Sequence, residues 1–335
     1  MKFKAVILEK INKPLVIKEI ETTPLKRGQV LVKNLVSGLC GAQLQEIRGE
    51  KGNAKFVPHL LGHEGCGIVQ EVGEDVTNVK VGDKVVMHWR KGNGIESDFP
   101  EYIIDGNKKS SGKITTLSEY SIISENRSTS VPIDTPDDFC ALLGCAITTA
   151  YGVVNDEINW SWQHKNNKIL IIGIGGVGLN IYEALMSYCL FKGGEITCLD
   201  KFDKNDIKTI KSLSETNSKF DVIIDTTGNS ELISESLKYL NDNGQYIIVS
   251  QINSDLIINK DIFNSMFSEN GKTIKFSQGG KSFPSYHVPH YIKMQKEGEL
   301  SYEKIITHKF DMNEINEAIE LLKTGNCGRI MIKIN

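Results

Sequence analysis

The stretch 173–178, GIGGVG, constrains this chain more than any other six residues. It follows the apolar run KILII (168–172) and opens a segment, 177–191, with apolar residues at helical spacing. A strand that turns on glycine into a helix suits a backbone that must approach a diphosphate closely. Gly173 permits the tight turn, Gly175 allows the approach, and Gly178 lets helix and strand pack together, while the helix N-terminus supplies N–H donors and positive dipole. Asp200 ends the next strand, ITCLD (196–200), 22 residues past Gly178 (200 − 178). Its carboxylate suits the ribose hydroxyls of an adenosine and repels a 2′-phosphate, which favours NAD over NADP, a preference that Lys201 beside it weakens. Gly173, Gly175, Gly176, Val177, Gly178, Asp200, Lys201 and Thr227 are the expected cofactor-binding set. A glycine turn in an unrelated α/β sheet is the competing explanation, and the strand-before, helix-after context tells against it.

Strands and helices alternate around this motif. KILIIGIG (168–175), ITCLD (196–200), DVIIDTTG (221–228) and QYIIVSQ (245–251) read as strands, and 230–240 as a helix. Such alternation implies a parallel sheet with right-handed crossovers. Upstream, VLVKNLV (30–36), GIVQEVG (67–73) and KVVMHW (84–89) make residues 2–122 a β-rich lobe. Segment 90–116 is polar and glycine-rich and reads as a long loop. Past about 280 the chain reads as extended, then as a helix over 312–325 and a last strand, RIMIKI (329–334), that returns to the first lobe. Residues 1–146 with 281–335 are thus expected to form one domain and 147–280 the other.

At 335 residues the chain exceeds one ordinary core. A net charge of −3 provides no general basic field for nucleic acid or anionic lipid. There is no apolar run of about 18 residues, and MKFKAVILEK lacks a signal-peptide pattern, so cytoplasm is the default expectation. Seven cysteines, odd in number and scattered, argue against a disulfide scaffold. Most are expected to be reduced core residues. Cys40 and Cys145 are read differently, because with His63 they offer two thiolates and an imidazole. That is a ligand set of catalytic zinc, which keeps its fourth position open. Glu64, next to His63, is a candidate supporting group or transient ligand. Taken singly, each of these residues is more often core than ligand.

SGLCGAQ (37–43), LLGHEGCGIVQEVG (60–73), VKVGDKVV (79–86), ALLGCAITTAYG (141–152) and ITHKFDMNEINEAIELLKTGNCGR (306–329), with the glycine turn among them, resemble the medium-chain zinc alcohol dehydrogenases over essentially the whole chain. The resemblance implies a GroES-like catalytic domain joined to a Rossmann domain, and hydride transfer between NAD(H) and an alcohol or carbonyl. It implies one catalytic zinc at Cys40, His63 and Cys145 with Glu64 beside it, cofactor contacts from Thr149 and Arg329, and a pocket lined by Trp89, to which Ala42 and Arg90 are added as candidate pocket residues from their positions in this sequence. It also implies a homodimer or homotetramer paired through the dinucleotide domains. Arg90 could match a carboxylate or phosphate in bidentate fashion, which points to a polyol, sugar derivative or phosphorylated sugar as substrate; a solvated charge at the start of a loop is the equally weighted competing explanation.

Three departures qualify the resemblance. Residues 82–135 contain no cysteine, so the structural zinc of many relatives is expected to be missing. Ala42, Gln43 and Gln45 stand where relatives carry a hydroxyl, an Asp and often a His; alanine cannot relay a proton, and water, His88 or His59 is expected to do so. Only about twenty residues separate Asp200 from Asp221, roughly half the usual number, so the Rossmann sheet is expected to lack an edge strand. Two other functions remain open on these grounds: a zinc-free double-bond reductase of the same fold, and a dinucleotide-binding protein that has lost turnover.

Overall fold

The computed structural model describes residues 1–160, 167–187, 194–204, 206–252, 254–267 and 271–334. The chain divides into two compact units. One is Met1–Thr148 with Ser282–Leu300 and Ile306–Asn335, and the other is Thr149–Lys281 with Ser301–Ile305. Among the described residues no helix is long and apolar enough to cross a membrane.

The first unit is built on two sheets. In the larger, strands run in the order Ser128–Val131, Lys84–His88, Glu64–Val72, Gln29–Leu39, Arg329–Lys333 and Ile306–Asp311, and Tyr120–Ser124 also pairs with Gln29–Leu39. Val30, Val32, Val69, Val85, Met87 and Ile123 pack one face. β-branched side chains fill such pleated, buried surfaces well. The C-terminal strand does return to this unit, antiparallel to Gln29–Leu39 with Ile330 opposite Leu39.

The expected loop 90–116 is only partly a loop. Glu101–Ile104 and Asn107–Ser110 form a hairpin, turned at Asp105 and Gly106 with φ of 50° and 74°. Positive φ at both central residues is the geometry that Asp-Gly favours between paired strands. Thr22 pairs with Tyr102, joining the hairpin to the smaller sheet. Tyr102 is fully buried against Phe3 and accepts the Ile122 N–H at 2.7 Å. Four-residue strands with a charged outer face gave too weak a periodicity to read.

Two carboxylates shape the rest of this cysteine-free region. Buried Glu125 accepts the N–H groups of Thr77 at 2.6 Å, Asn78 at 2.7 Å and Ile95 at 2.8 Å. Burial opposes its charge, but these donors outweigh burial and hold the carboxyl below its ordinary range. Glu96 lies 3.2 Å from Arg127, 3.3 Å from Lys113 and 3.7 Å from Lys91.

The second unit carries a five-stranded parallel sheet in the order Glu195–Leu199, Lys168–Ile172, Phe220–Asp225, Leu240–Ile248, Thr273–Phe276. Strand order reverses beside Lys168–Ile172, the position in open α/β sheets where ligands bind outside the carboxyl ends. Ile169, Leu170, Ile171 and Ile172 are all fully buried, as a strand covered on both faces requires. Between Leu199 and Phe220 the described residues hold only a short 3-10 turn, Leu213–Glu215, and isolated bridges from Leu199 to Ile210 and from Lys204 to Ile207. The sheet is therefore the shortened Rossmann form that the spacing implied.

The helix expected over 177–191 is seen as Gly176–Ser187; its remainder, including Cys189, lies outside the described residues. The stretch after 280 is not extended: Pro284–Lys296 is a helix. Pro284 and Pro289 argued against a helix, but Pro284 occupies the first turn, where its missing N–H costs nothing. Helix Lys260–Ser265 and strand Thr273–Phe276 are further elements that the sequence reading did not assign.

Replacing Glu125 with Ala leaves three inward-facing N–H groups without their acceptor. A loss of about 2–4 kcal/mol is expected, read as a lower denaturant midpoint for the first unit. An unchanged midpoint would show that the carboxylate does not organise the loop.

Candidate metal centre and dinucleotide turn

Cys40 follows strand Gln29–Leu39 and caps helix Gly41–Arg48; His63 precedes strand Glu64–Val72; Cys145 precedes helix Ala146–Gly152. One ligand atom from each lies within 4.8 Å of the other two. Ligand atoms around a tetrahedral zinc with bonds of about 2.0–2.3 Å are roughly 3.3–3.8 Å apart, so a slight contraction closes the set on an ion. Cys40 and His63 are half-buried and Cys145 is buried.

A buried ion pair lies behind the trio. Arg329 Nε is 3.3 Å from Glu64 Oε1, and both side chains are almost wholly inaccessible. Arg329 also donates to the Leu39 carbonyl at 3.0 Å, and Glu64 Oε2 accepts the Ala146 N–H at 3.1 Å. Leu39, Glu64 and Ala146 each adjoin one member of the trio, so the pair ties all three segments together. Two glycines leave room for it. A Cβ on Gly38 would overlap the Glu64 carboxylate, and one on Gly144 would overlap the Met87 carbonyl.

The electrostatics suit a thiolate site. Cys145 donates its proton toward Cys40, and with help from Arg329 and His63 this holds Cys40 well below the ordinary thiol range despite burial. Cys145 is driven up by the same partner and by burial. Burial works against a charged His63, but Cys40 and Glu64 outweigh it and raise the ring. Burial raises Glu64, with Arg329 opposing. Arg329 is raised because Glu64, Cys40 and Cys145 overcome its burial.

Gln43, fully buried, accepts the Cys40 N–H on Oε1 at 2.9 Å and sets Nε2 2.8 Å from His63 Nδ1. Sequence reasoning registered it only as a departure from relatives. Ala42 offers no polar atom, and Gln45 is half-buried on the same helix. His88 is not free to relay a proton: Nδ1 donates to the Arg90 carbonyl at 2.7 Å, and Nε2 lies 2.9 Å from the Thr129 hydroxyl. His59 Nδ1 is 2.6 Å from the Leu60 carbonyl. The Arg90 guanidinium lies over the Trp89 ring, 4.8 Å from its centroid, and donates to the Ser282 carbonyl at 3.3 Å.

In the second unit Gly173 has φ of 85°, and helix Gly176–Ser187 starts directly after the turn. A Cβ on Gly178 would overlap the Gly173 carbonyl, whereas nothing lies within 4 Å of one on Gly175. One glycine thus serves packing and the other keeps the approach to the backbone clear. Asp200 ends its strand as expected and holds the turn, accepting the Ile174 N–H at 2.6 Å and the Phe202 N–H at 3.0 Å. Lys201 is exposed, Val177 half-exposed and Thr149 buried. Thr227 donates to Asp225 at 2.8 Å. Arg329, expected at the cofactor, has its guanidinium against Glu64 and Leu39 in the first unit. A cavity of about 590 Å³ at the carboxyl ends of Leu240–Ile248 and Thr273–Phe276, lined by Ser250, Gln251, Phe276 and Ser277 among others, had no motif to announce it.

Comparison with known proteins agrees with this architecture. Residues 26–133 match the alcohol dehydrogenase GroES-like domain family. Alcohol dehydrogenase 6 from Peromyscus maniculatus is 27% identical over 98% of this chain and 97% of its own length. S-(hydroxymethyl)glutathione dehydrogenase from Komagataella pastoris is 26% identical over 100% and 98%. The crystal structure of an alcohol dehydrogenase zinc-binding domain protein from Burkholderia ambifaria has the same fold, with a TM-score of 0.84 at 19% identity over 100% and 99% of the two chains. Residues 26–133 thus carry the GroES-like domain of alcohol dehydrogenases, and the chain is similar to dehydrogenases of that kind over nearly its whole length.

Burial pushes His88 down to about 4, outweighing the Arg90 carbonyl that favours its charged form. The unfolded ring titrates near 6.5, so between those values the unfolded chain binds more protons and stability falls as pH falls. A loss on the order of 3 kcal/mol by pH 4 is expected from this residue. His88→Asn, which keeps a donor toward Arg90, should flatten the stability profile between pH 6.5 and 4; parallel profiles would contradict the assignment.

Proposed function

We infer that this chain is a zinc-containing, NAD(H)-linked oxidoreductase acting on an alcohol or its carbonyl counterpart. The observation that carries the reading is the convergence of Cys40, His63 and Cys145, with a buried Glu64–Arg329 pair behind them. The donor set fits the ion: two sulfurs and an imidazole satisfy zinc's preference and leave one position for substrate. Cys40, His63 and Cys145 would hold it, and when bound it supplies Lewis acidity toward an alcohol or carbonyl oxygen.

The chain's own groups perform the rest. Cys40 and Cys145 bring negative charge, and Arg329 keeps that charge tolerable in a buried space. Glu64 positions Arg329 and the start of helix Ala146–Gly152. The glycine turn and the N-terminus of Gly176–Ser187 suit the dinucleotide's diphosphate. Gly173, Gly175, Gly176, Val177 and Gly178 form that cradle, and Asp200 braces it at the adenosine side. Thr149, Lys201, Thr227 and Arg329 complete the cofactor set by family resemblance. Ala42 leaves the proton to leave by water, since His88 is committed at both ring nitrogens.

Trp89 and Arg90 support a polar, hydroxylated substrate, because a guanidinium stacked on an aromatic ring is a pre-shaped partner for oxygen-rich groups. For subunit pairing, Thr273–Phe276 is a sheet edge carrying Phe276 at 71% exposure, and Phe263 and Phe267 of the same unit are also exposed. Apolar edges of this kind are usually covered, and a second subunit is the natural cover.

One preparation tests the reading. Metal analysis should find one zinc per chain, light scattering a dimer or larger, and absorbance of NADH a change with polyols, sugar alcohols, simple alcohols or the glutathione–formaldehyde adduct. Cys145→Ser and His63→Ala should lose the zinc and at least 100-fold in turnover. Full activity without metal would overturn the zinc reading and favour a double-bond reductase.

A further inference from the structure

Asp225 ends strand Phe220–Asp225 of the parallel sheet and is fully buried. Four donors converge on its carboxylate. Oδ1 accepts the Thr227 N–H at 3.1 Å, the Gly228 N–H at 2.9 Å and the Ser250 hydroxyl at 3.0 Å. Oδ2 accepts the Thr227 hydroxyl at 2.8 Å. Burial pushes this carboxyl up, and the four donors oppose the rise. A buried charge is tolerated only while its donors keep their places.

Those donors belong to two loops, 226–228 and 249–251, that leave the carboxyl ends of neighbouring parallel strands. The loops touch: a Cβ on Gly228 would overlap the Gln251 carbonyl. Ser250 and Gln251 line the cavity of about 590 Å³. The glycine turn is held by other groups. Thr226 donates to the Gly173 carbonyl at 2.8 Å, and Asp200 accepts the Ile174 N–H at 2.6 Å. Neither bond involves the Asp225 carboxylate. A dinucleotide with its diphosphate on the turn and its adenosine beside Asp200 extends its other half across the point where strand order reverses. Strands Phe220–Asp225 and Leu240–Ile248 end on that side.

We propose that Asp225 is a positioning residue of the dinucleotide site, its buried carboxylate holding loops 226–228 and 249–251 as a preformed seat for the nicotinamide half of the cofactor. The inference rests on the NAD(H) reading above. Without the carboxylate, two backbone N–H groups and two hydroxyls lose their common acceptor, and the loops must be ordered when the ligand arrives. A carboxylate suits the place because its two oxygens can accept four hydrogen bonds between them. Asparagine is the closest substitute: its oxygen can keep the three donors now on Oδ1, and its NH₂ group can donate to the Thr227 hydroxyl.

The test compares the full chain with Asp225→Ala, Asp225→Asn and Ser250→Ala. Calorimetry gives the affinity for NADH and for ADP-ribose, which lacks the nicotinamide. Asp225→Ala should bind NADH roughly 10-fold more weakly or worse, and Ser250→Ala about 3- to 10-fold more weakly. ADP-ribose affinity should change little in both, and Asp225→Asn should retain most of the affinity for NADH. Original NADH affinity in Asp225→Ala would overturn the proposal. So would an equal loss for both ligands, since the carboxylate would then support the sheet as a whole. If Asp225→Ala does not fold, Ser250→Ala decides, and original NADH affinity there overturns the proposal. An original chain that binds neither ligand would remove the NAD(H) reading itself, an outcome distinct from a silent Asp225.

Discussion

The first unit is organised around a carboxylate and a guanidinium sealed from water. Burying two charges costs several kcal/mol each unless geometry and further hydrogen bonds compensate. Here Glu64 and Arg329 face each other at 3.3 Å and are further compensated by the Leu39 carbonyl and the Ala146 N–H, while Glu64 Oε1 and Arg329 Nε and Nη2 make no hydrogen bond among the described residues. Those bonds join the ends of two strands to the start of a helix. The trio at positions 40, 63 and 145 lies on the three segments that this one buried ion pair joins. Removing either partner would strand the other charge in a dry site, which is more damaging than removing both.

The same pair explains why two cysteine sulfurs can share a small buried space. Arg329 lowers the cost of negative charge on Cys40 and Cys145, and one proton held between the sulfurs relieves the remainder. A divalent cation is the natural replacement for that proton. In the cysteine-free region after Lys84–His88, carboxylates also act as organisers. Glu125 gathers three backbone donors and Glu96 three cations. Acceptors of backbone and side-chain protons hold this region together.

What could be read from sequence divides along physical lines. The glycine turn was legible because diphosphate approach, a tight turn and close packing each need glycine at a set place, and Asp200 marks the next strand end. The trio was legible because thiolates and imidazole are scarce residue types. Gln43 was not, since its two hydrogen bonds join residues that only the fold brings together, and the contact of Arg329 with Glu64 was hidden for the same reason. The hairpin Glu101–Ser110 hid behind lysines on its outer face. Helix Pro284–Lys296 hid behind two prolines, one of which occupies the only turn that favours it.

X-ray absorption at the zinc edge of the purified, metal-loaded chain measures the central claim most directly. Two sulfur neighbours at about 2.3 Å and one nitrogen from imidazole at about 2.0–2.1 Å, completed by one light atom, are expected. A shell of oxygen and nitrogen alone, or a two-sulfur shell that survives Cys145→Ser, would contradict the placement of the ion between these three residues.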